Sequence, residues 1–483
     1  MAMKKIIQVL ALCFLLYSCK PHAQQLSVQQ IQSDFDSLHS ALQEAHSGLY
    51  RYSSRAQMNT IFEKYRSQLN HPMTTQQFIS VIAGLLPEVR DGHLRLEFDP
   101  VTAAKISDAK LFPLRLMTEG SKLMVLFNDT QDDHLIQPGM ELVSINDHSP
   151  ADLIKLFLSK IPDDGFIETG KRKRMERNFG MLYWMYADTA ADFNVHVKDA
   201  TGKILTATLY GILTTDRENN RLANPVNSAI NKSIAAFADP DDNVTIRFID
   251  KNIAVLRIKS FVGDSFYADI DNVFQAVHDR HPASLILDLR GNGGGADDYG
   301  AYLVAQFMNH PFRYFDHIRM NTINPSFTKF KPSSIENFRN GTVPDSTGGY
   351  LLTTAIHSGV GEQAPGKNPF PGKLIVLMDG GTFSTAADVT ALLRHLTHAI
   401  FIGEESGGCY EGNTSGSSAR FIFPNTKLML NVNMYDYYNA VKPATEKGRG
   451  TMPDFNVPLT VSSLLKGVDP QWEKAMEVAK DDK

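Results

Sequence analysis

The sequence predicts an α/β protein: a layered core on a largely parallel sheet, preceded by a helical segment and a β-rich segment. Three observations lead there. From residue 243 onward, fully apolar runs such as 285–289 and 373–378 alternate with stretches of helical spacing, as strands covered by helices do. Residues 26–104 carry apolar side chains at helical period, whereas 111–212 alternate at strand period. The 483 residues also exceed one compact core, since domains run to about 100–200 residues. Hydrophobic residues are 43% and charged residues 21%, which excludes a disordered chain, a collagen-like repeat and a multi-span membrane protein. The net charge of −5 gives no overall pull toward nucleic acid, and none is expected as a partner.

The chain opens with Lys4 and Lys5 and an apolar run over 6–16 that has no polar face. That run is short for a bilayer span and suits a secretory signal. Leu16-Tyr17-Ser18-Cys19 resembles a bacterial lipoprotein box, giving a signal peptide over 1–19 and a lipidated Cys19. Ordinary cleavage near Ala23, giving a soluble secreted protein, is the alternative. The lipid would be the chain's one membrane contact, each buried methylene contributing about 0.8 kcal/mol, on a periplasmic or outer-membrane lipoprotein. With Cys13 in the signal and Cys19 lipidated or removed, Cys409 is the remaining thiol and no intramolecular disulfide can form.

In the helical segment, 26–104, Ile31, Phe35, Leu38 and Leu42 share one face, a second amphipathic run covers about 55–68, and a third helix over 77–86 leads into a strand-like tail, 88–98. In the β-rich segment, 111–212, a strand at 123–127 precedes Pro138-Gly139-Met140-Glu141-Leu142-Val143-Ser144-Ile145-Asn146, and a polar helical insertion near 166–186 precedes a hairpin of 193–197 with 204–209. The Pro-Gly run with its following short helix resembles a PDZ-like module, which captures peptides as an added strand; a generic β-rich linker domain is the other reading. The core, 243–460, opens with a hairpin of 244–249 and 253–258, and 321–371 reads as a long surface excursion. A capped amphipathic helix from Asp469 closes the chain over 463–483.

Two glycine loops leave two buried strands at what would be the sheet's carboxyl edge, the usual ligand edge of an open α/β sheet. The first is Asp288-Leu-Arg-Gly-Asn-Gly-Gly-Gly295, which lacks the phosphate-cradle patterns and leaves an oxyanion site as its chemical use. The second, Asp379-Gly-Gly-Thr-Phe-Ser384-Thr-Ala-Ala-Asp388, runs from strand straight into helix. This places Ser384 as a nucleophile elbow places its serine; helix capping by Ser384 or Thr382 is the competing reading.

Together with Gly403-Glu-Glu-Ser-Gly-Gly-Cys409 and Gly448-Arg-Gly-Thr-Met-Pro-Asp454, and with Asp91-Gly92-His93 ahead of them, these loops resemble the tail-specific, or C-terminal processing, serine peptidase family, most closely its tricorn-like branch. The resemblance implies a ClpP/crotonase-like layered α/β core and a serine-type peptidase. It implies Ser384 as nucleophile, His93 as general base, and the Gly293–Gly295 loop, above all Gly294, with the Thr385 amide as oxyanion donors. The processing branch keeps a lysine base where this chain has Cys409, and a mostly protonated thiol cannot replace it. A carboxylate should orient the histidine. Glu446 lies near the family's glutamate but one position out of register, and Glu404, Glu405 and Asp91 remain open. His46 reads as structural. No cofactor is implied, and the histidines show no metal-ligand spacing. The expected substrate is an extended peptide or protein tail. A peptidase-like peptide-binding protein without turnover is the alternative.

Overall fold

The apolar stripe of the first segment forms helices whose starts are written in their capping residues. In the computed structural model, which describes residues 25–131, 133–237 and 242–481, these are α1 (Val28–Ala45), α2 (Arg55–Arg66) and α3 (Thr75–Val89). Ser27, Ser54 and Thr74 each accept from the amide three residues on, while Gln30, Gln57 and Gln77 reach back. Caps of this kind contribute about 1 kcal/mol each. Ile31, Phe35, Leu38 and Leu42 pack with Phe62, Phe78 and Ile82. A fourth helix, α4 (Pro100–Ser107), starts on Asp99, whose side chain accepts from the Val101 and Thr102 amides. The expected signal at 1–19, with the lipid acceptor Cys19, lies outside the described residues.

The β-rich segment holds an antiparallel sheet of β1 (Leu114–Glu119), β2 (Lys122–Asn128), β3 (Glu141–Ile145), β4 (Asp192–Lys198) and β5 (Ile204–Tyr210), in that spatial order. Helices α5 (Pro150–Leu158) and α6 (Thr169–Tyr186) lie between β3 and β4 in the chain. The polar insertion read from the sequence is α6. It buries Met175, Phe179, Leu182 and Tyr183 against the sheet and kinks at Asn178 (φ −115°, ψ 16°).

The core sheet has the spatial order β16-β13-β12-β8-β7-β6, built from β6 (Val244–Phe248), β7 (Ile253–Ile258), β8 (Ser284–Asp288), β12 (Lys373–Met378), β13 (Ile400–Gly403) and β16 (Phe455–Asn456). All neighbours are parallel except the β6–β7 hairpin. Helices α7 (Phe266–Arg280), α8 (Asp297–Ala305) and α9 (Thr385–Leu396) cover one face, and α10 (Pro470–Lys480) covers the other with Trp472, Ala475 and Val478.

A second, antiparallel sheet, which the sequence reading does not anticipate, stacks on the helical layer. Its path is β10-β11-β9-β15-β14, from β9 (Phe315–Met320), β10 (Thr342–Pro344), β11 (Tyr350–Leu352), β14 (Thr414–Ile422) and β15 (Met429–Asn439). The stretch 321–371, expected as a surface loop, supplies β10, β11 and the helix Pro332–Gly341. This sheet is also the dock for the helical segment. Leu96–Glu97 pairs with β15, and Phe421, Phe423, Leu430 and Val432 complete the helical core. The buried Arg51 guanidinium reaches Asp436 Oδ1 (2.7 Å) and the Tyr437 and Glu411 carbonyls (2.8 Å each).

Candidate active site

β12 is almost wholly buried and ends in Asp379-Gly380-Gly381. Asp379 ties the two glycine loops together, its Oδ1 accepting from the amides of Gly381 (2.9 Å) and Gly291 (2.8 Å). The Thr382 hydroxyl donates to the Leu289 carbonyl and the Phe383 amide to the Asn292 carbonyl, both at 2.9 Å. Held this way, the turn carries Ser384 at φ 56°, ψ −134°, a conformation that costs a side-chain-bearing residue about 1–3 kcal/mol. Ser384 stands at the N-cap position of α9, yet its side chain caps nothing. Its Oγ lies 3.1 Å from His93 Nε2 instead.

His93 reaches the serine from a turn that follows α3, where Arg90 takes the left-handed conformation (φ 64°). Asp91 braces that turn from inside: its Oδ1 accepts the His93 amide at 2.7 Å, and its Oδ2 lies 2.8 Å from both Asn433 Nδ2 and His46 Nε2. The imidazole lies against Phe383, ring centroids 4.5 Å apart, and the Arg174 guanidinium sits 4.5 Å from the same ring. Burial, helped by Arg174 and Arg95 and opposed by Asp91, holds the His93 imidazole down to about 4, so it is the neutral, proton-accepting form at neutral pH. Burial opposes the ionisation of Asp91, but the His46 hydrogen bond and the charges of His46 and His93 keep its carboxyl below the usual range.

The remaining sequence-predicted residues divide by position. Thr385 is the first residue of α9, its amide without a hydrogen bond among the described residues, and its hydroxyl lies 2.8 Å from Asp297 Oδ1. Gly294 (φ 96°) fits against the elbow so closely that a Cβ there would stand 2.7 Å from Ser384 Cβ. Its amide, however, donates to Asn292 Oδ1 at 2.9 Å, while those of Gly293 and Gly295 have no acceptor among the described residues. Glu446 lies at the surface with its carboxylate 3.3 Å from Arg449. Glu405 is paired with Arg449 (2.7 Å) and Glu404 with Lys173 (3.5 Å), which leaves Asp91, of the four carboxylates considered, beside His93. The register that nominated Glu446 is a count along the chain, and the fold turns that side chain outward.

Cys409 is buried, accepts from the Tyr52 hydroxyl at 3.4 Å, and burial pushes its thiol up to about 11. Two residues the sequence reading passes over, Asp163 and Asp164, lie beneath the Asp91–His93 turn, where Asp164 Oδ1 accepts the Gly92 amide at 2.8 Å. A buried Asp-Asp pair ahead of a polar helix was the available signal, but nothing in its spacing points to a turn some seventy residues upstream. Asp91, His93 and Asp164 bring polar atoms within 4.8 Å of one another. Asp91, His93 Nε2 and Asp164 Oδ1 already have partners inside the protein. Beside the elbow, a cavity of about 960 Å³ opens between α6, the β-rich sheet and the glycine loops, lined by Leu114, Phe127, Arg177, Gly291, Asp379 and Gly381.

Residues 252–457 match the family model described as Peptidase family S41. No curated protein matches the chain in sequence. Among solved structures, mature CPAF superposes with a TM-score of 0.63 at 13% identity, over 94% of this chain and 97% of that one. Mature CPAF complexed with lactacystin gives 0.64 at 13%, over 94% and 98%. The photosystem II D1 C-terminal processing protease gives 0.43 at 14%, over 94% and 98%.

Proposed function

We propose that this chain, whose residues 252–457 match the Peptidase family S41 model, is a serine peptidase that cleaves extended peptides or protein tails through an acyl-enzyme on Ser384. The observation that carries the reading is the 3.1 Å contact between Ser384 Oγ and His93 Nε2 at a strained strand-to-helix turn. Bare Nε2 takes the hydroxyl proton as Oγ attacks the peptide carbonyl. The oxyanion falls to amides that have no protein acceptor: Thr385, at the positive end of α9, and the Gly293–Gly295 loop, with Gly293 better placed to donate than the occupied Gly294. His93 then returns its proton to the leaving amine. In the second half, water gives a proton to His93 as it attacks the acyl-enzyme, and His93 hands that proton to Ser384 Oγ as the new carboxyl terminus is released.

The low basicity of His93 and the proton on its buried Nδ1 with no acceptor favour one competing reading, a peptide-binding protein without turnover. A fluorophosphonate probe with a fluorogenic peptide separates the two. Labelling and cleavage by wild type, both lost in Ser384→Ala and in His93→Ala, support the peptidase. Peptide binding that survives His93→Ala, with no cleavage by either form, supports the binder.

A further inference from the structure

For Nε2 to accept the serine proton, the proton of neutral His93 must sit on Nδ1, and that atom is buried with no hydrogen-bond partner among the described residues. An unmade bond of this kind costs about 1–3 kcal/mol. Asp91 Oδ1 lies 3.8 Å from Nδ1, outside hydrogen-bond range and already accepting the His93 amide. Asp164 also offers an oxygen within 4.8 Å of polar atoms of His93 and Asp91. Its Oδ1 is engaged by the Gly92 amide, while its Oδ2 and Asp163 Oδ2 are both buried without partners. A donor on His93 and an acceptor on Asp164, both orphaned in a buried group whose polar atoms lie within 4.8 Å of one another, form the kind of polar site that one ordered water fills.

We propose that Asp164, carried by the β-rich segment, is the positioning residue of the base: it receives the His93 Nδ1–H through one bridging water, fixing the tautomer and steadying the imidazolium after Ser384 gives up its proton. The inference rests on the reading of Ser384 and His93 as nucleophile and base.

The strap that carries Asp164 is pinned at several points. The Gly165 amide donates to the Arg90 carbonyl (3.1 Å) and the Phe166 amide to the Gly448 carbonyl (2.7 Å). A Cβ on Gly165 would stand 2.2 Å from that Gly448 oxygen, and one on Gly170 2.3 Å from Asp163 Oδ2, so neither glycine can be enlarged without moving the acids. The groups that act on the Asp164 charge are Asp163 and Arg174 on its own strap and helix and Asp91 on the turn above, and it acts in turn on Tyr52, Cys409 and Asp388. Burial, with the like charges of Asp163 and Asp91, pushes its carboxyl up to about 8. Its negative charge is therefore weak at neutral pH and grows as the solution becomes alkaline, when it would best support an imidazolium.

The test compares Asp164→Asn, Asp164→Ala and Asp91→Asn in the full chain. Asp164→Ala should lower kcat by about 10–100-fold with KM unchanged, as losses of an orienting partner do. Wild-type kcat should rise through about pH 8, and Asp164→Asn, which keeps a carbonyl acceptor without charge, should lack that rise. Wild-type kcat and pH profile in both Asp164 variants, with collapse in Asp91→Asn, would overturn the inference and hand the role to Asp91. A second readout does not need turnover: the imidazole proton resonance that vanishes in His93→Ala should shift in Asp164→Asn, and an unshifted resonance overturns the proposal. Absence of cleavage and of Ser384 labelling in wild type would defeat the peptidase reading while leaving this resonance test intact.

Discussion

Gly92 lies so close to the ring of Phe383 that a Cβ in its place would stand 2.8 Å from Cζ and 3.1 Å from Asp163 Oδ1. The residue before the proposed base is thus moulded to the residue before the proposed nucleophile, and the two can meet because one of them has no side chain.

Gly92→Ala should act on geometry before stability. The turn must retreat from Phe383 by some tenths of an ångström, and His93 with it. Misplacement on this scale costs about 100-fold in rate, whereas overpacking costs about 1–3 kcal/mol of stability. A kcat loss far larger than the change in thermal midpoint is expected, measured by steady-state kinetics beside calorimetry.

Ser384→Gly should raise the melting temperature while abolishing labelling and cleavage. The serine sits at φ 56°, ψ −134°, a region open to glycine at little cost, so about 1 kcal/mol of strain is relieved. A denaturant melt that shows no gain over Ser384→Ala would contradict the assignment of strain at this turn.

Stability should fall as pH rises above 6.5. His93, held near 4 against an ordinary 6.5, loses stability on acidification, because the unfolded chain binds the proton the folded one refuses. Asp163 and Asp164, raised to about 6 and about 8 from 3.8, have the opposite sign: their contribution is complete below about 4 and is lost as pH climbs through those values. Of these three groups, Asp164 makes the largest change in bound protons between pH 6.5 and 8. Thermal melts across that window should decline for wild type and flatten for Asp164→Asn.

Cys409 should resist thiol reagents in the native protein and react on unfolding, since its thiol is buried, bonded by Tyr52 and raised to about 11. Cys409→Ser should keep activity within about twofold. Cys409→Lys should destabilise, because the buried Arg51 already places a cation there and a second charge would lack a partner. Titration with a chromogenic disulfide, native and in denaturant, checks the first statement, and melts check the second.

Local features were legible in the sequence and distant ones were not. The strand–glycine–serine–helix run at 373–396 and the capping residues of α1 to α3 depend on near neighbours, so their spacing predicts their form. β14 escapes because its first half, Thr414-Ser-Gly-Ser-Ser, is polar at a sheet edge and its register slips between Ser415 and Ser418. Asp163 and Asp164 escape for another reason: their partners are a turn on a different segment, and only the folded chain brings a buried acid under Gly92. Glu446 shows the converse, a residue in nearly the right place along the chain whose side chain lies at the surface.

The separation of His93 and Ser384 along the chain also bears on biosynthesis. A ribosome releases the imidazole early and the serine hydroxyl 291 residues later, and the strand that docks the helical segment, β15, emerges after both. On the proposed mechanism, a nascent or truncated chain carries two inert halves of a cutting centre. Hydrolytic power would arrive only when synthesis is nearly finished, which protects the cell that makes it.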